Sequence, residues 1–477
     1  MSARIAGLAS LGLFAWITSA RAQPTPVSPP PPVARATAGT PRRPTGPPAP
    51  RPSVGQPAQR PAAAPPAPRQ ASRLTAKDRE TAVKRIQAEV QAGYVFPELR
   101  GKIVERLDRA AKAGRYDVED PASFAERVTE DLRDESHDHH MSLGFDPTGY
   151  AAALAPPRSD AGEAALERRQ ASREHHGLVE LKRLPGNVRY LRITQFHWID
   201  DETGAVYDDA IRFLREGDAI IIDLRGNPGG SHGAVRYLVS HFLDPNILEL
   251  TFLEGSETSQ SRTLEHLPAG RLKGKPLYVL IDRFVGSAAE AFAYDVQQFK
   301  LGELVGATTT GAANNNRFSP VAPSFLLSLS FGRPVHAVSH ANWEGVGIKP
   351  TVPAEPAQAL DVAQSLALAR LAQARGAADD AVADYAWARL AVEARLHPPV
   401  IAPAQLALRV GRYGELAISQ RDGALYLVRA SRADARLIPL SADVFAVEGS
   451  DLLRVRLSAK ALDLLWPGLA PRHFPRS

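Results

Sequence analysis

Four short segments hold the residue types that catalysis or metal binding needs. Ser136-His137-Asp138-His139-His140 puts three imidazoles within four residues, and imidazole serves both as a metal ligand and as a general base. No H-E-x-x-H spacing is present, and successive strand side chains point to opposite faces, so at most two of the three could share one ion. A solvated polar turn and a single catalytic histidine at the root of a strand are the other readings. The second segment, Ile220-Ile221-Ile222-Asp223-Leu224-Arg225-Gly226-Asn227-Pro228-Gly229-Gly230, runs from a buried-type strand into a glycine-rich turn. It lacks both G-x-G-x-x-G and G-x-x-x-x-G-K-[ST], so it does not match a phosphate cradle. Its backbone N–H groups could instead stabilise an oxyanion, and a purely structural turn explains the local sequence as well.

The third segment is Asp282-Arg283-Phe284-Val285-Gly286-Ser287-Ala288-Ala289-Glu290-Ala291-Phe292. Ser287 and Glu290 spell S-x-x-E, the capping box of a helix start. The same position suits a nucleophile, because the N–H of Ala288 at the helix end points where an oxyanion would form. The G-x-S-x-G elbow is absent, since Val285 and Ala289 stand at its two glycine positions. The fourth segment, Asn342-Trp343-Glu344-Gly345-Val346-Gly347-Ile348-Lys349-Pro350, is a loop entering an edge strand. Glu344 there could orient a histidine or be a lone surface carboxylate.

The elements that must position these segments show in the periodicity. Apolar residues at three- and four-residue spacing mark three short helices over residues 75–132, with Pro97 and Pro121 near helix starts. Met141, Leu143 and Phe145 then alternate as a strand. Residues 151–176 are polar and alanine-rich and read as a connecting segment. Strands at 188–193, 219–224, 277–281 and from 304 alternate with helices at 205–214, 234–242 and 288–299, which predicts an α/β unit with a largely parallel sheet. Residues 359–396 are Ala/Leu-rich and helical with a break near Gly376. Six short strand candidates follow, at 406–410, 415–419, 424–428, 436–439, 445–447 and 453–457, predicting a small all-β domain.

The ends of the chain differ from its body. Residues 1–22 carry Arg4, an apolar run over 5–17 and Ala20-Arg21-Ala22, the pattern of a secretory signal cut near Ala22. The run of about 13 apolar residues falls short of the ~20 needed to span a bilayer. Residues 23–72 form a Pro/Ala-rich linker that holds 17 of the 40 prolines, too poor in apolar side chains to fold. Of the 57 Arg and Lys residues, ten fall within residues 1–77, which hold no acid; 47 basic residues against 52 acidic remain from Asp78 onward, a net −5. The formal +5 and pI near 9.4 therefore describe the leading segment, and no nucleic-acid partner is expected. The basic linker could contact anionic envelope surfaces. With no cysteine, disulfides, thiol nucleophiles and cysteine-bound metals are excluded.

Taken together and in this order, residues 138–145, 223–230, 286–295, 306–311 and 342–350 resemble the tail-specific (C-terminal-processing) serine peptidase family. The resemblance runs from about residue 75 to residue 371. It implies an α/β fold: a ClpP/crotonase-like peptidase core at 177–371, an N-terminal helical domain at 73–145 ending in the histidine strand, a helical connector at 372–398 and a small C-terminal all-β domain at 400–470. One branch of the family uses a Ser–Lys dyad, but the lysine position here is Ala312, flanked by Gly311 and Ala313. The other branch resembles tricorn peptidase and interphotoreceptor retinoid-binding protein and pairs Ser with His. That branch implies Ser287 as nucleophile, His140 as base and Glu344 as the orienting carboxylate, with backbone N–H groups of Gly230 and Ala288 for the oxyanion. His140 is selected over His139 because it directly precedes the alternating strand. The serine that supports the base in that branch is His139 here, which leaves open how Glu344 and His140 are linked.

These readings make the protein an exported peptidase, periplasmic or secreted, that needs no cofactor and no metal and acts on peptide or protein substrates. Only about 40 residues separate Phe145 from the first core strand, too few for a PDZ module, so small peptides are the expected substrates. Two alternatives remain: a non-catalytic carrier of hydrophobic ligands or peptides on the same scaffold, served by a lipocalin-like C-terminal barrel, and an envelope scaffold displayed on the tether.

Overall fold

A computed structural model describes residues 73–155, 160–374, 376, 378–430 and 432–477. The expected signal segment and the whole of the linker lie outside the described residues. No helix among the described residues is long and apolar enough to cross a membrane.

Three helices open the body: α1 (Ala76–Gly93), α2 (Pro97–Lys112) and α3 (Pro121–Ser136). Pro97 and Pro121 occupy first-turn positions, where a missing N–H costs nothing. The apolar stripe of α1 (Ala82, Val83, Ile86, Val90), Ile103 and Leu107 of α2, and Phe124, Val128 and Leu132 of α3 close over a sheet rather than only over one another. They share one core with Val321, Phe325, Leu327 and Leu329. Strand β1 (Ser142–Phe145) leaves α3 and enters that sheet. After β1 come α4 (Pro147–Leu154) and α5 (Asp160–Arg173), helical where a plain connector was expected. Their composition favours helix, but they lack the apolar stripe by which helices are read.

The central sheet is built from β2 (Leu178–Leu184), β3 (Val188–Ile193), β4 (Ala219–Asp223), β7 (Leu277–Ile281), β8 (Glu303–Gly306) and β11 (Val352–Pro353), in the order β11-β8-β7-β4-β3-β2. All neighbours are parallel except β2 with β3, as the continuous apolar strands predict. The helices α6 (Asp200–Arg215), α7 (His232–Ser240) and α8 (Ser287–Gln298) cover one face, burying Ile220, Ile222, Val279 and Ile281. The helices α9 (Ala359–Ala372) and α10 (Asp379–Leu396) cover the other, over Tyr190, Ile221, Tyr278 and Leu280.

A second sheet joins β1, β5 (Leu248–Glu254), β6 (Glu257–Arg262), β9 (Asn315–Val321) and β10 (Phe325–His336), in the order β1-β10-β5-β6 with β9 on β10. Its β1–β10 pairing is antiparallel with Leu143 opposite Leu327. Sequence patterning anticipated only β1 of this sheet. Leu327-Ser328-Leu329-Ser330-Phe331 alternates as a strand would, and residues 325–330 are nonetheless buried without interruption.

Residues 403–407 form α11 (Pro403–Ala407), not the start of a strand: Pro403 at the first helical position favours the turn. Eight strands follow, β12 (Gly411–Tyr413), β13 (Leu416–Arg421), β14 (Ala424–Arg429), β15 (Ala435–Pro439), β16 (Val444–Val447), β17 (Arg454–Leu457), β18 (Ala461–Leu465) and β19 (Arg472–Pro475), each antiparallel to the next. A bridge between Tyr413 and Arg476 and a hydrogen bond from Ser477 N to Arg412 O (3.0 Å) bring the last strand to the first, closing the sheet. Closure leaves no free sheet edge. Thirteen buried apolar side chains, among them Tyr413, Phe445, Val455 and Phe474, form one core inside it. Arg454 lies over the Trp387 ring of α10 at 3.8 Å and seats the barrel on that helix.

Candidate active site

Two of the four segments leave the carboxyl ends of β4 and β7, one is the turn between α3 and β1, and the last is the loop between β10 and β11. Open parallel sheets hold their ligands at that carboxyl edge. Two buried side chains lock the first two loops together. Asn227 accepts from Gly229 N through Oδ1 (2.8 Å) and donates Nδ2 to Ile193 O (3.1 Å), while its carbonyl accepts from Gly286 N (3.1 Å). Asp282 Oδ1 accepts from Gly226 N (3.1 Å) and Phe284 N (2.9 Å).

Ser287 opens α8 with a positive φ of 49°, a left-handed conformation that a residue with a Cβ adopts only at a cost of about 1–2 kcal/mol. The helix N-cap is Gly286, and no side chain caps it. The capping box expected of S-x-x-E is therefore half made: Glu290 Oε2 accepts from Ser287 N (3.0 Å), but the serine hydroxyl caps nothing. Gly229 explains itself at this point. Its φ is 115°, and a Cβ there would lie 2.8 Å from Ser287 Cβ and 2.9 Å from Ala288 N. Gly230, at φ 132°, sits against Phe196 O. The Gly229 carbonyl accepts from Phe196 N and the Phe196 carbonyl from Ser231 N, so this ladder leaves the intervening Gly230 N–H unused. Ala288 N–H lies in the first turn of α8, where no intrahelical acceptor exists.

Glu290 is a residue whose position sequence reasoning did not foresee. Its carboxylate is fully buried and accepts from Ser287 N, Thr309 Oγ1 (2.5 Å), Gly311 N (2.6 Å) and Ala312 N (2.8 Å). Burial pushes its carboxyl above the ordinary range, against the pull of these donors. The position where a lysine base would sit, Ala312, instead donates its N–H to this carboxylate.

The same loop continues to Glu344. Its Oε2 accepts from Ala313 N (2.6 Å) and Asn314 N (2.7 Å), and its Oε1 from His139 N (3.0 Å). His140 Nδ1 stands 3.8 Å from Glu344 Oε2, an ion-pair distance longer than a hydrogen bond. Burial drives the Glu344 carboxyl up, but the His140 ring and the N–H groups of Asn314 and His139 outweigh it and hold the group below its usual range. His139, where a supporting serine would stand, thus reaches Glu344 through its backbone. Its ring Nδ1 contacts Thr310 O at 2.8 Å; a carbonyl only accepts, so Nδ1 carries the proton. Among the described residues no hydrogen bond joins Ser287 Oγ to the His140 ring in this state. Both nevertheless border one loop, since Thr310 N donates to Val285 O (3.0 Å), two residues before the serine.

Asp138, fully buried, backs the histidine turn. It accepts from His140 N (2.9 Å), Asn314 Nδ2 (3.0 Å) and Tyr94 OH (3.3 Å). Burial, reinforced by the nearby Glu344 charge, raises its carboxyl. Asp138, His140 and Glu344 present donor atoms within 4.8 Å of one another, a spacing a metal could use. The oxygens of both carboxylates already accept six hydrogen bonds, which leaves a cation little to bind.

Residues 187–354 match the family described as Peptidase family S41. That stretch of the chain is similar to a peptidase family S41 domain. The matched span contains Gly230, Ser287, Ala288 and Glu344; His140 comes from the helical segment before it. The carboxy-terminal processing proteases CtpB and CtpA of Bacillus subtilis (strain 168) are 27% identical over 177 residues and 29% identical over 174 residues. Those matches cover 36% and 35% of this chain. The chain spans about a third of the length of these curated relatives, 35% of each. The structure of the photosystem II D1 C-terminal processing protease overlays 59% of this chain and 94% of its own, at a TM-score of 0.38 and 14% identity.

Proposed function

We propose that the protein is an exported serine peptidase that cleaves peptide bonds through an acyl-enzyme on Ser287. The observation that carries this reading is the Ser287 turn. A strained serine with an uncommitted hydroxyl packs against Gly229, and Glu290 ties its backbone to the loop over residues 309–314, which also binds Glu344 and the His139 ring. In the reaction His140 takes the Ser287 proton as Oγ attacks the carbonyl carbon, and the N–H groups of Gly230 and Ala288 receive the oxyanion. The imidazolium then protonates the leaving amine. Water, deprotonated by the same ring, releases the acyl group and restores the serine. Glu344 stabilises the imidazolium, and the serine strain keeps Oγ from folding back onto the helix as a cap. The reaction requires the His140 ring to reach the serine, and hydrogen bonds of this kind tighten when substrate arrives. Export rests on the signal pattern of residues 1–22. Small peptides remain the expected substrates.

The packed interior of the C-terminal barrel speaks against the ligand-carrier reading, because an eight-stranded barrel either fills with side chains or holds one small molecule. A fluorophosphonate probe, followed by peptide mapping, tests the assignment. Labelling is expected at Ser287 and nowhere else, and Ser287→Ala should lose both label and peptide turnover while keeping its melting temperature within a few degrees. Turnover at the wild-type rate by the purified variant would overturn it.

A further inference from the structure

A cavity of about 420 Å3 opens beside His139, lined by Arg133, Asp134, His137, His139, Thr310 and Gly345. It adjoins the candidate active site on two sides: His139 precedes the proposed base, and Thr310 N is bonded to Val285 O near the proposed nucleophile. Its charge is uneven. Asp134 is committed to Arg106, with Oδ2 3.2 Å from Nη2. Arg133 has no carboxylate within ion-pair distance among the described residues; Asp138 acts on it only at longer range. Its guanidinium is nonetheless held in place by neutral acceptors, Nε donating to Met141 O (2.9 Å) and Nη2 to His139 O (3.0 Å). An arginine fixed by two carbonyls, exposed and not neutralised, keeps its remaining donors ready for an anion at little entropic cost. The protonated Nδ1 of His139 is spent on Thr310 O, so the guanidinium is the main recognition group.

We propose that this cavity is a substrate subsite that takes a carboxylate of the peptide, with Arg133 as the residue that reads it. The proposal rests on the peptidase reading above. The carboxylate could belong to an acidic side chain near the scissile bond or to the free end of the peptide.

The experiment uses peptide pairs that differ only in charge: Glu against Gln at each position flanking the cleaved bond, and a free acid against an amide at the C-terminus. For wild type, one pair should favour the carboxylate form by about 10- to 100-fold in kcat/KM, the range of a charge-assisted hydrogen bond. Which pair responds names the source. In Arg133→Gln that ratio should collapse to below about threefold. The variant also loses contacts to the His139 and Met141 carbonyls, so absolute rates can fall; a merely structural role would lower both members of a pair alike and leave the ratio. The same pairs are titrated calorimetrically against Ser287→Ala and Ser287→Ala/Arg133→Gln. Discrimination that depends on Arg133 without any turnover by wild type would sink the peptidase reading and keep the subsite. No pair separated by wild type or by Ser287→Ala, or a ratio unchanged by Arg133→Gln, would overturn the subsite.

Discussion

Replacing Glu344 by Gln removes one charge and almost no volume, which makes it the most direct probe of how His140 is supported. The carboxylate oxygen nearest the ring is 3.8 Å from Nδ1. At that separation a unit charge pair in a medium of effective dielectric about 20 is worth about 4 kcal/mol. The imidazolium exists only as the reaction proceeds, so most of this falls on the transition state and predicts a loss of about 10³-fold in kcat/KM. The substitution also disturbs the fold. Glu344 accepts three backbone N–H groups, from His139, Ala313 and Asn314. A glutamine keeps one oxygen, best used on the two short bonds to Ala313 and Asn314, and turns an NH2 toward His139 N. One unsatisfied donor costs about 1–3 kcal/mol of stability. Kinetics with a fluorogenic peptide should therefore be run well below the lowered melting temperature, alongside the rate of fluorophosphonate labelling, which should fall in parallel. A folded Glu344→Gln protein that keeps kcat/KM within about threefold of wild type would show that the charge at this site does not act on His140.

Gly229→Ala should cost at least about 10²-fold in kcat/KM, since its Cβ would meet Ser287 Cβ and Gly286 O at 2.8 Å and push the nucleophile's turn aside; an unchanged rate would contradict that packing. Ser287→Gly should be more stable than Ser287→Ala by about 1–2 kcal/mol in denaturant melts, because only glycine takes a φ of 49° without strain. Equal stabilities would mean that the turn is unstrained. Glu249 is buried, and burial, aided by the charge of Asp295, raises its carboxyl to about 8 from an ordinary 4.5. The folded protein then holds a proton that the unfolded chain has lost, so stability should fall as pH rises from about 4.5 to 8, by at most ~1.4 kcal/mol per pH unit, and level off above. Glu249→Gln should flatten that slope, and thermal melts between pH ~5 and ~8 that superimpose for the two proteins would refute it.

The central sheet was legible because β4 and β7 are nearly continuous apolar runs between helices, a pattern whose burial on both faces leaves little choice of fold. The second sheet was not. β6 is polar and largely exposed and gives no strand signal of its own, and the alternation of β10 is confined to Leu327–Phe331, beside a run buried on both faces. The barrel's last strands have the same weakness, with Phe474 the one buried residue of β19. At the site, the glycines and the serine could be read from the turns they occupy, because backbone geometry there demands particular residue types. Glu290 and Asp138 could not be assigned their partners. A capping box explains Glu290 within four residues, and only folding reveals that its second oxygen serves the loop after β8.

That loop, residues 309–314, is what unites parts that lie far apart in the chain. Glu290 grips it through Thr309, Gly311 and Ala312, Glu344 through Ala313 and Asn314, His139 through Thr310, and Asp138 through the Asn314 side chain. The helix opened by Ser287, the His139-His140 turn and Glu344 thus share one short backbone segment as their common reference, with carboxylates doing most of the binding. Ala312, inside this segment, contributes its N–H to the Glu290 carboxylate. A lysine reintroduced at Ala312 would enter a position already buried beside the Glu290 carboxylate, and would pair with that acid before it could serve Ser287. A histidine base at this site would therefore depend on more than one position: on the carboxylate-bound loop and on His140, supplied from the helical segment outside residues 187–354.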